Sequence, residues 1–321
     1  MKRYFEKALS LARANKGKLA ILGWGTAFVF FGRVIFQGYR DLTKRSLAIA
    51  PAPLLVSLSI LSVAFLTGGT VWYMVLRACG VRTGIRETVL DWLVAQGAKY
   101  LPIGTVWYLG GRFLLGRRAG IDGVVISIAL GVEFALYMME ALVLLIAVFL
   151  LRQKQHLAAG LFIGMPNLLW LLFMPSSVAF LKSRLAGRLD SSSHLRGVLE
   201  DLEVQILRWL PPMYLLQWLL IGQAFWFLVT SVCLVPFSSF PSLAGAYSGA
   251  SAFGYLAFFV PNGWGIRENV LSVLVEALSG CALGSVVAII ARLWYTIVEL
   301  MCASIGLVLR RKLLRDQEMQ L

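Results

Sequence analysis

A small set of ionisable residues stands within or at the edge of apolar sequence: Arg33, Lys99, Arg112, Glu133, Glu140, Arg267, Glu268, Arg292 and Glu299. An ion in hydrocarbon costs a few kcal/mol or more, so such residues face a water-filled cavity, pair together, or meet a charged substrate. Lys99 and Arg112 flank Tyr100-Leu101-Pro102-Ile103-Gly104, and Arg267-Glu268 follow Phe259-Val260-Pro261-Asn262-Gly263-Trp264-Gly265. Proline stops a helix and glycine allows a turn, so new helices start at both places. Their unpaired N–H groups and positive dipole ends suit a phosphate. The expected substrate contacts are therefore Lys99, Arg112, Asn262, Trp264, Arg267 and Glu268. The competing reading is that the arginines snorkel to the membrane surface or bind a neighbouring carboxylate.

Glu133 and Glu140 lie seven residues apart, on one face of a helix, as do Arg292 and Glu299. The expectation is an interhelical pair between Glu133 and Arg292, with Glu140 or Glu299 free to exchange a proton or gate a cavity. Arg33 is a further counter-ion, completing a gating or proton-coupling group of Arg33, Glu133, Glu140, Arg292 and Glu299. Other chemistry has little to work with. Ser248, in Ala246-Tyr247-Ser248-Gly249, lacks a membrane histidine to activate it, since His156 and His194 fall in loops. Cys79, Cys233, Cys281 and Cys302 stand far apart without paired ligand spacing, so neither a disulfide nor a metal site is expected. No Gly-x4-Gly-Lys-Ser/Thr loop is present, which argues against direct ATP hydrolysis. No cofactor is expected, and the chain reads as a non-enzyme.

The elements that must position these residues are apolar helices. Of 321 residues, 59% are hydrophobic and 14% charged, a balance suited to a bilayer rather than to water. Stretches long enough to cross roughly 30 Å of hydrocarbon run from Leu19 to Tyr39, Leu54 to Arg77, Val124 to Leu151, Leu157 to Leu181, Met213 to Pro236 and Leu283 to Leu309. The first follows a basic tail and is too long for a signal-peptide core, so it is expected to be a retained anchor. Glu87 to Gly111 and Leu243 to Gly280 are broken by their Pro-Gly motifs and read as re-entrant helical hairpins.

With each hairpin entering and leaving on one side, Lys and Arg divide into 21 on the amino-terminal side and five on the other. This asymmetry places both termini in the cytoplasm and accounts for the formal charge of +14 without nucleic acid. The two hairpins then open from opposite sides. An offset of 159 residues carries Pro102 to Pro261, Gly104 to Gly263, Glu133 to Arg292 and Glu140 to Glu299. The fold class expected is an all-α, polytopic membrane bundle built as an inverted-topology repeat, a recurring transporter architecture. Residues 1–151 form the first repeat and 152–321 the second, with a polar cytoplasmic segment at 182–208. Trp92, Trp107, Tyr108, Trp170, Trp209, Trp218, Trp264 and Trp294 are expected mostly as interfacial anchors. Trp264 is singled out as a contact to a lipid chain or sugar, and Gly68-Gly69 as a place of close helix packing.

Two stretches carry a resemblance. Lys99 to Gly104 with Gly111-Arg112 and Arg117-Arg118-Ala119-Gly120, and Phe253-Gly254-Tyr255 through Pro261 to Glu268, resemble the two signatures of the lysylphosphatidylglycerol synthase transmembrane-region family, flippase-like integral membrane proteins. The likeness extends over most of the chain, with Ile103, Asn262 and Trp264 departing from the usual glycine-rich pattern. It implies movement of an anionic or modified lipid, a phospholipid or polyprenyl-phosphate-linked sugar, between leaflets of the bacterial or archaeal cytoplasmic membrane. The soluble aminoacyl-transferring domain of longer relatives is expected to be missing. The partners implied are the lipid itself and a lipid-modifying synthase or glycosyltransferase. The alternatives are a non-transporting partner of a cell-envelope synthase, or an intramembrane enzyme.

Overall fold

A computed structural model describes residues 29, 32–40, 49–100, 104–186, 197, 200–257, 260 and 263–318. The basic tail, most of the first apolar stretch, and Pro102, Pro261 and Asn262 fall outside them. After a helical stretch at 32–40 come α1 (Pro51–Ala78), α2 (Ile85–Gly97), a 3-10 turn (Ala98–Tyr100), α3 (Gly104–Arg118), α4 (Gly123–Arg152) and α5 (His156–Ala186). They are followed by the short α6 (Val204–Leu207), α7 (Leu210–Val232), α8 (Phe240–Leu256), α9 (Ile266–Ser279) and α10 (Gly284–Glu318). No strand occurs among the described residues.

Among the described residues, five helices are long and apolar enough to cross a membrane: α1, α4, α5, the α6–α7 run and α10. By contrast α2, α3, α8 and α9 have 13, 15, 17 and 14 residues, fewer than the roughly 20 that a crossing needs. The long helices are apolar nearly all round, as segments buried against protein on one side and lipid on the other must be.

Hydrogen bonds fix the directions of the helices. Ala50 N–H donates to Ser231, Ser57 Oγ donates to the Ala224 carbonyl over 2.6 Å, and Glu203 N–H donates to Ala78. Those three contacts keep one register, so α1 and the α6–α7 run lie antiparallel along their length. Gly68 and Gly69 sit where neighbouring helices pack closely. A Cβ at Gly68 would meet Gln217 and the Trp92 ring, and one at Gly69 would meet Val89.

One end of the bundle is basic. Arg77 pairs with Glu203 at 3.3 Å, Lys182 donates to the Glu200 carbonyl, and Arg310 pairs with Asp91. Thr83 before α2 and Ala119 after α3 line one hollow at this end, together with Arg82, Asp122 and Asp201. At the opposite end Arg152 donates to the Ala277 carbonyl. There Cys233, which follows α7, is joined to Cys281, which follows α9, by a disulfide with Cα atoms 6.0 Å apart.

This disulfide corrects the expectation from sequence that none would form. The cysteines are 48 residues apart, but the chain between them runs inward along α8 and back along α9, so its ends meet. Cys79 and Cys302 remain free and buried, and burial pushes the Cys79 thiol up to about 11. Folded, unreduced protein should therefore resist a thiol-reactive polyethylene glycol, while denatured protein should take two labels before reduction and four after. Replacing both bonded cysteines with serine should cost about 2–4 kcal/mol of stability, read as a lower unfolding temperature in detergent.

Candidate functional site

The ionisable residues meet in the middle of the bundle. Asp91 and Arg310 mark the basic end of the α2–α10 contact. From there Lys99 is eight residues onward and Glu299 eleven residues back, about 12 to 16 Å deeper at the rise of a helix. At that depth Lys99 Nζ donates to Glu299 Oε1 over 2.8 Å, with both side chains at least nine-tenths buried. The 3-10 turn after α2 supplies the lysine. Because α10 continues straight past it, the carboxylate lies within reach.

Arg112 on α3 pairs with Glu133 on α4, and its Nη1 also donates to the Tyr108 hydroxyl over 2.9 Å. Its guanidinium lies flat enough on Trp72 to bring Cζ within 3.7 Å of the ring centre, where ring quadrupole and cation attract. Glu133 accepts in addition from Trp92 Nε1 at 3.4 Å. Arg112 nevertheless keeps two donors, Nε and Nη2, buried without a protein partner, and Gln96 Oε1 is a buried acceptor without one.

These groups line a cavity of about 80 Å³. Its polar wall consists of Gln96, Lys99, Arg112, Glu133 and Gln217, and its aromatic wall of Trp92, Tyr108, Tyr137, Tyr255 and Tyr295. The space holds two or three waters at about 30 Å³ each. The two short-helix pairs both reach it, α2–α3 through Lys99 and Tyr108, and α8–α9 through Tyr255.

Other expected contacts lie elsewhere. Arg267 is buried behind the aromatic wall, donating to the Tyr247 hydroxyl with its guanidinium 4.8 Å from the Tyr247 ring and 5.0 Å from Tyr295. It does not line the cavity, because two tyrosine faces close over it. Glu268 caps α9: Oε2 accepts from Gly265 N–H at 2.7 Å and Oε1 from Arg292 at 3.4 Å. The first is the carboxylate-to-N-cap contact of a capping box, and the second is an ion pair that joins α9 to α10. Trp264 is partly exposed, its ring 5.1 Å from the Arg292 guanidinium. Arg33 is exposed on the 32–40 helical stretch. Ser248 Oγ donates to the Gly245 carbonyl within its own helix.

The expected Glu133–Arg292 pair is corrected. Each residue is paired instead with a helix next to its own in the chain, Glu133 with Arg112 on α3 and Arg292 with Glu268 on α9. A side chain four to seven bonds long reaches an adjacent helix more cheaply than one across the bundle. The interfacial reading of the aromatics is corrected as well. Trp92, Trp218 and Trp294 are buried at 7%, 1% and 2% exposure, and Tyr108 lines the cavity, whereas Trp209 is exposed. The tyrosines of the cavity wall were missed, although a signal existed. Tyr137 lies one turn from Glu133 and Tyr295 three residues from Arg292, on the charged faces already marked.

No protein-family model, no curated protein and no solved structure matches this chain.

If the Lys99–Glu299 pair is a desolvated ion pair, removing one partner strands the other. Glu299→Gln alone should cost about 3–5 kcal/mol, and the double variant Lys99→Met with Glu299→Gln should recover most of it. Thermal unfolding in detergent checks this, and a double variant as unstable as the single one would contradict it.

Proposed function

We propose that this chain is a membrane lipid transporter, in which the cavity takes the charged head group of an anionic or modified lipid while the acyl chains stay in hydrocarbon. The lipid would be a phospholipid or a polyprenyl-phosphate-linked sugar. The observation that carries the reading is Arg112: it is held at the cavity wall by Glu133, Tyr108 and Trp72, yet keeps two buried donors unpartnered. A donor without an acceptor costs about 1–3 kcal/mol in a dry interior, and a phosphoryl oxygen would remove that cost. At about 80 Å³ the cavity is large enough for a phosphoryl group but must widen for a full head group, as an occluded state would.

Several features support the architecture behind this reading. The α2–α3 and α8–α9 pairs, too short to cross, fit two re-entrant hairpins whose tips approach from opposite ends. The inverted repeat gains support from the ion pairs, since Arg112–Glu133 joins α3 to α4 and Glu268–Arg292 joins α9 to α10, equivalent elements with charges exchanged. The basic end suits the cytoplasm under the positive-inside rule. The opposite end carries the disulfide, which is at home on the oxidising side of a membrane. The resemblance at Lys99 to Gly104 and at Pro261 to Glu268 points to the same class.

Purified protein in liposomes carrying head-group-labelled lipids, with the outer label quenched chemically, tests the proposal. The expected result is protein-dependent loss of protection for at least one anionic lipid. Arg112→Ala should slow it by about 10- to 100-fold, the worth of a charge-assisted hydrogen bond, and Arg112→Lys should be intermediate. If no lipid crosses, or if one crosses unaffected by Arg112, the cavity is not the path, and a role as the membrane partner of a synthase takes its place.

A further inference from the structure

Glu140 lies two turns along α4 from Glu133 and takes no part in the cavity. It is 0% exposed, in the middle of a 30-residue apolar helix. The helices packed on α4 offer it no cation. Neither α7 nor α8 contains Asp, Glu, Lys, Arg or His, and their ionisable groups are the tyrosines Tyr214, Tyr247 and Tyr255. On α3 the cations are Arg112, which is paired with Glu133, and Arg117 and Arg118 at the basic end. On α1 it is Arg77, held by Glu203. On α5 they are His156, Lys182 and Arg184, all at the helix ends.

What Glu140 does meet is Asn167. The amide Nδ2 donates to Glu140 Oε2 at 3.4 Å and to the Ile163 carbonyl at 3.2 Å. The atoms left over are Glu140 Oε1 and Asn167 Oδ1, both buried, both without a partner, and both acceptors. Each is left with an unmade buried hydrogen bond, which is destabilising. A single proton cures both defects. A carboxylic acid facing an amide makes a two-point ring, with one N–H donating to the acid's carbonyl oxygen and one O–H donating to the amide's. Half of that ring is already formed. A metal ion fits less well, since protein-bound metals take four or more ligands and only two orphan oxygens are present.

We propose that Glu140 and Asn167 form a proton-binding site that fastens α5 to the rest of the bundle, with Oε1 carrying the proton and donating it to Asn167 Oδ1. α5 is the helix that needs fastening. Among its described side chains only Ala159, Asn167 and Val178 are buried, so Asn167 is its one buried polar residue, with the part-buried Trp170 Nε1 donating to the Leu207 carbonyl beside it. Pro166 and Pro175 also interrupt its backbone ladder. Losing the proton leaves a bare carboxylate in an apolar interface with no cation in reach, and the cheapest relief is for α5 to move away and admit water. Because the docked state holds the proton and the undocked state releases it, docking weakens as pH rises. This holds whether or not a lipid crosses.

Infrared difference spectroscopy of the reconstituted protein tests the protonation. A carboxylic-acid C=O band present at neutral pH should vanish in Glu140→Gln and shift in Asn167→Leu. Glutamine preserves the two-point ring, so the variant should fold, checked by its elution as a single species. Hydrogen exchange tests the fastening. As pH is raised, α5 peptides of the wild type should exchange faster than those of Glu140→Gln at the same pH, while at low pH the two should agree, which cancels the intrinsic pH dependence of exchange. A carboxylate rather than an acid band at neutral pH would overturn the proton site. Identical α5 exchange at every pH would overturn its role in docking.

Discussion

Taking a charge out of water and into hydrocarbon is the cost around which this bundle is arranged, because that cost is met only by a partner at hydrogen-bonding distance. Among the described residues three interior ion pairs meet it, and each joins two different elements: Lys99–Glu299 ties the turn after α2 to α10, Arg112–Glu133 ties α3 to α4, and Arg292–Glu268 ties α10 to α9. The short helices cannot anchor themselves at both membrane surfaces. Those that carry charges are tied instead to long helices, α3 to α4 through Arg112–Glu133 and α9 to α10 through Glu268–Arg292. Arg267 is the exception in kind, shielded by two tyrosine faces and a hydroxyl.

The same rule governs the backbone. Where a helix stops inside the bundle, its first N–H groups lose their intrahelical partners and have no water to take their place. At the start of α9 the Glu268 carboxylate turns back to the Gly265 N–H. Gly263 and Gly265 both have left-handed backbones, φ +63° and +81°, which glycine adopts without strain. A Cβ at Gly263 would also strike the backbone of Gly254 on α8. The second motif therefore keeps its glycines for conformation and contact, and its Glu for capping. What a reader of the sequence takes for a cluster of substrate ligands is in large part the joinery of a broken helix.

That distinction sets the limit of what the sequence disclosed. The long spans were legible because twenty apolar residues in a row have few other uses, and the Pro-Gly breaks were legible because proline cannot continue a helix. Lys99 and Arg112, singled out because they flank the first Pro-Gly motif, both line the cavity. Partner choice was not legible. Glu133 and Arg292 have opposite charges at matched positions, but which helix lies beside each depends on packing that periodicity does not encode. The tryptophans were misplaced for a related reason, since an indole is as much at home in a core that offers its N–H a carbonyl as at a membrane surface. Trp218 finds that carbonyl on Tyr137 at 2.9 Å, and Trp170 finds one on Leu207 at 3.1 Å.

Under the repeat we propose, Glu140 and Glu299 are one position with two chemistries. At the 159-residue offset they correspond, and under the repeat we propose each began with the same surroundings. Glu299 has a cation for company, because the turn after α2 supplies Lys99. The residue that corresponds to Lys99 in the second turn is Phe258, so Glu140 has no lysine to meet. A carboxyl group deprived of its cation in a dry interior has only two stable outcomes, loss from the sequence or retention in neutral form with a hydrogen-bonding partner. Asn167 provides such a partner from α5, few of whose described side chains are buried, and under our proposal this sets a proton-binding carboxyl beside a lightly packed helix.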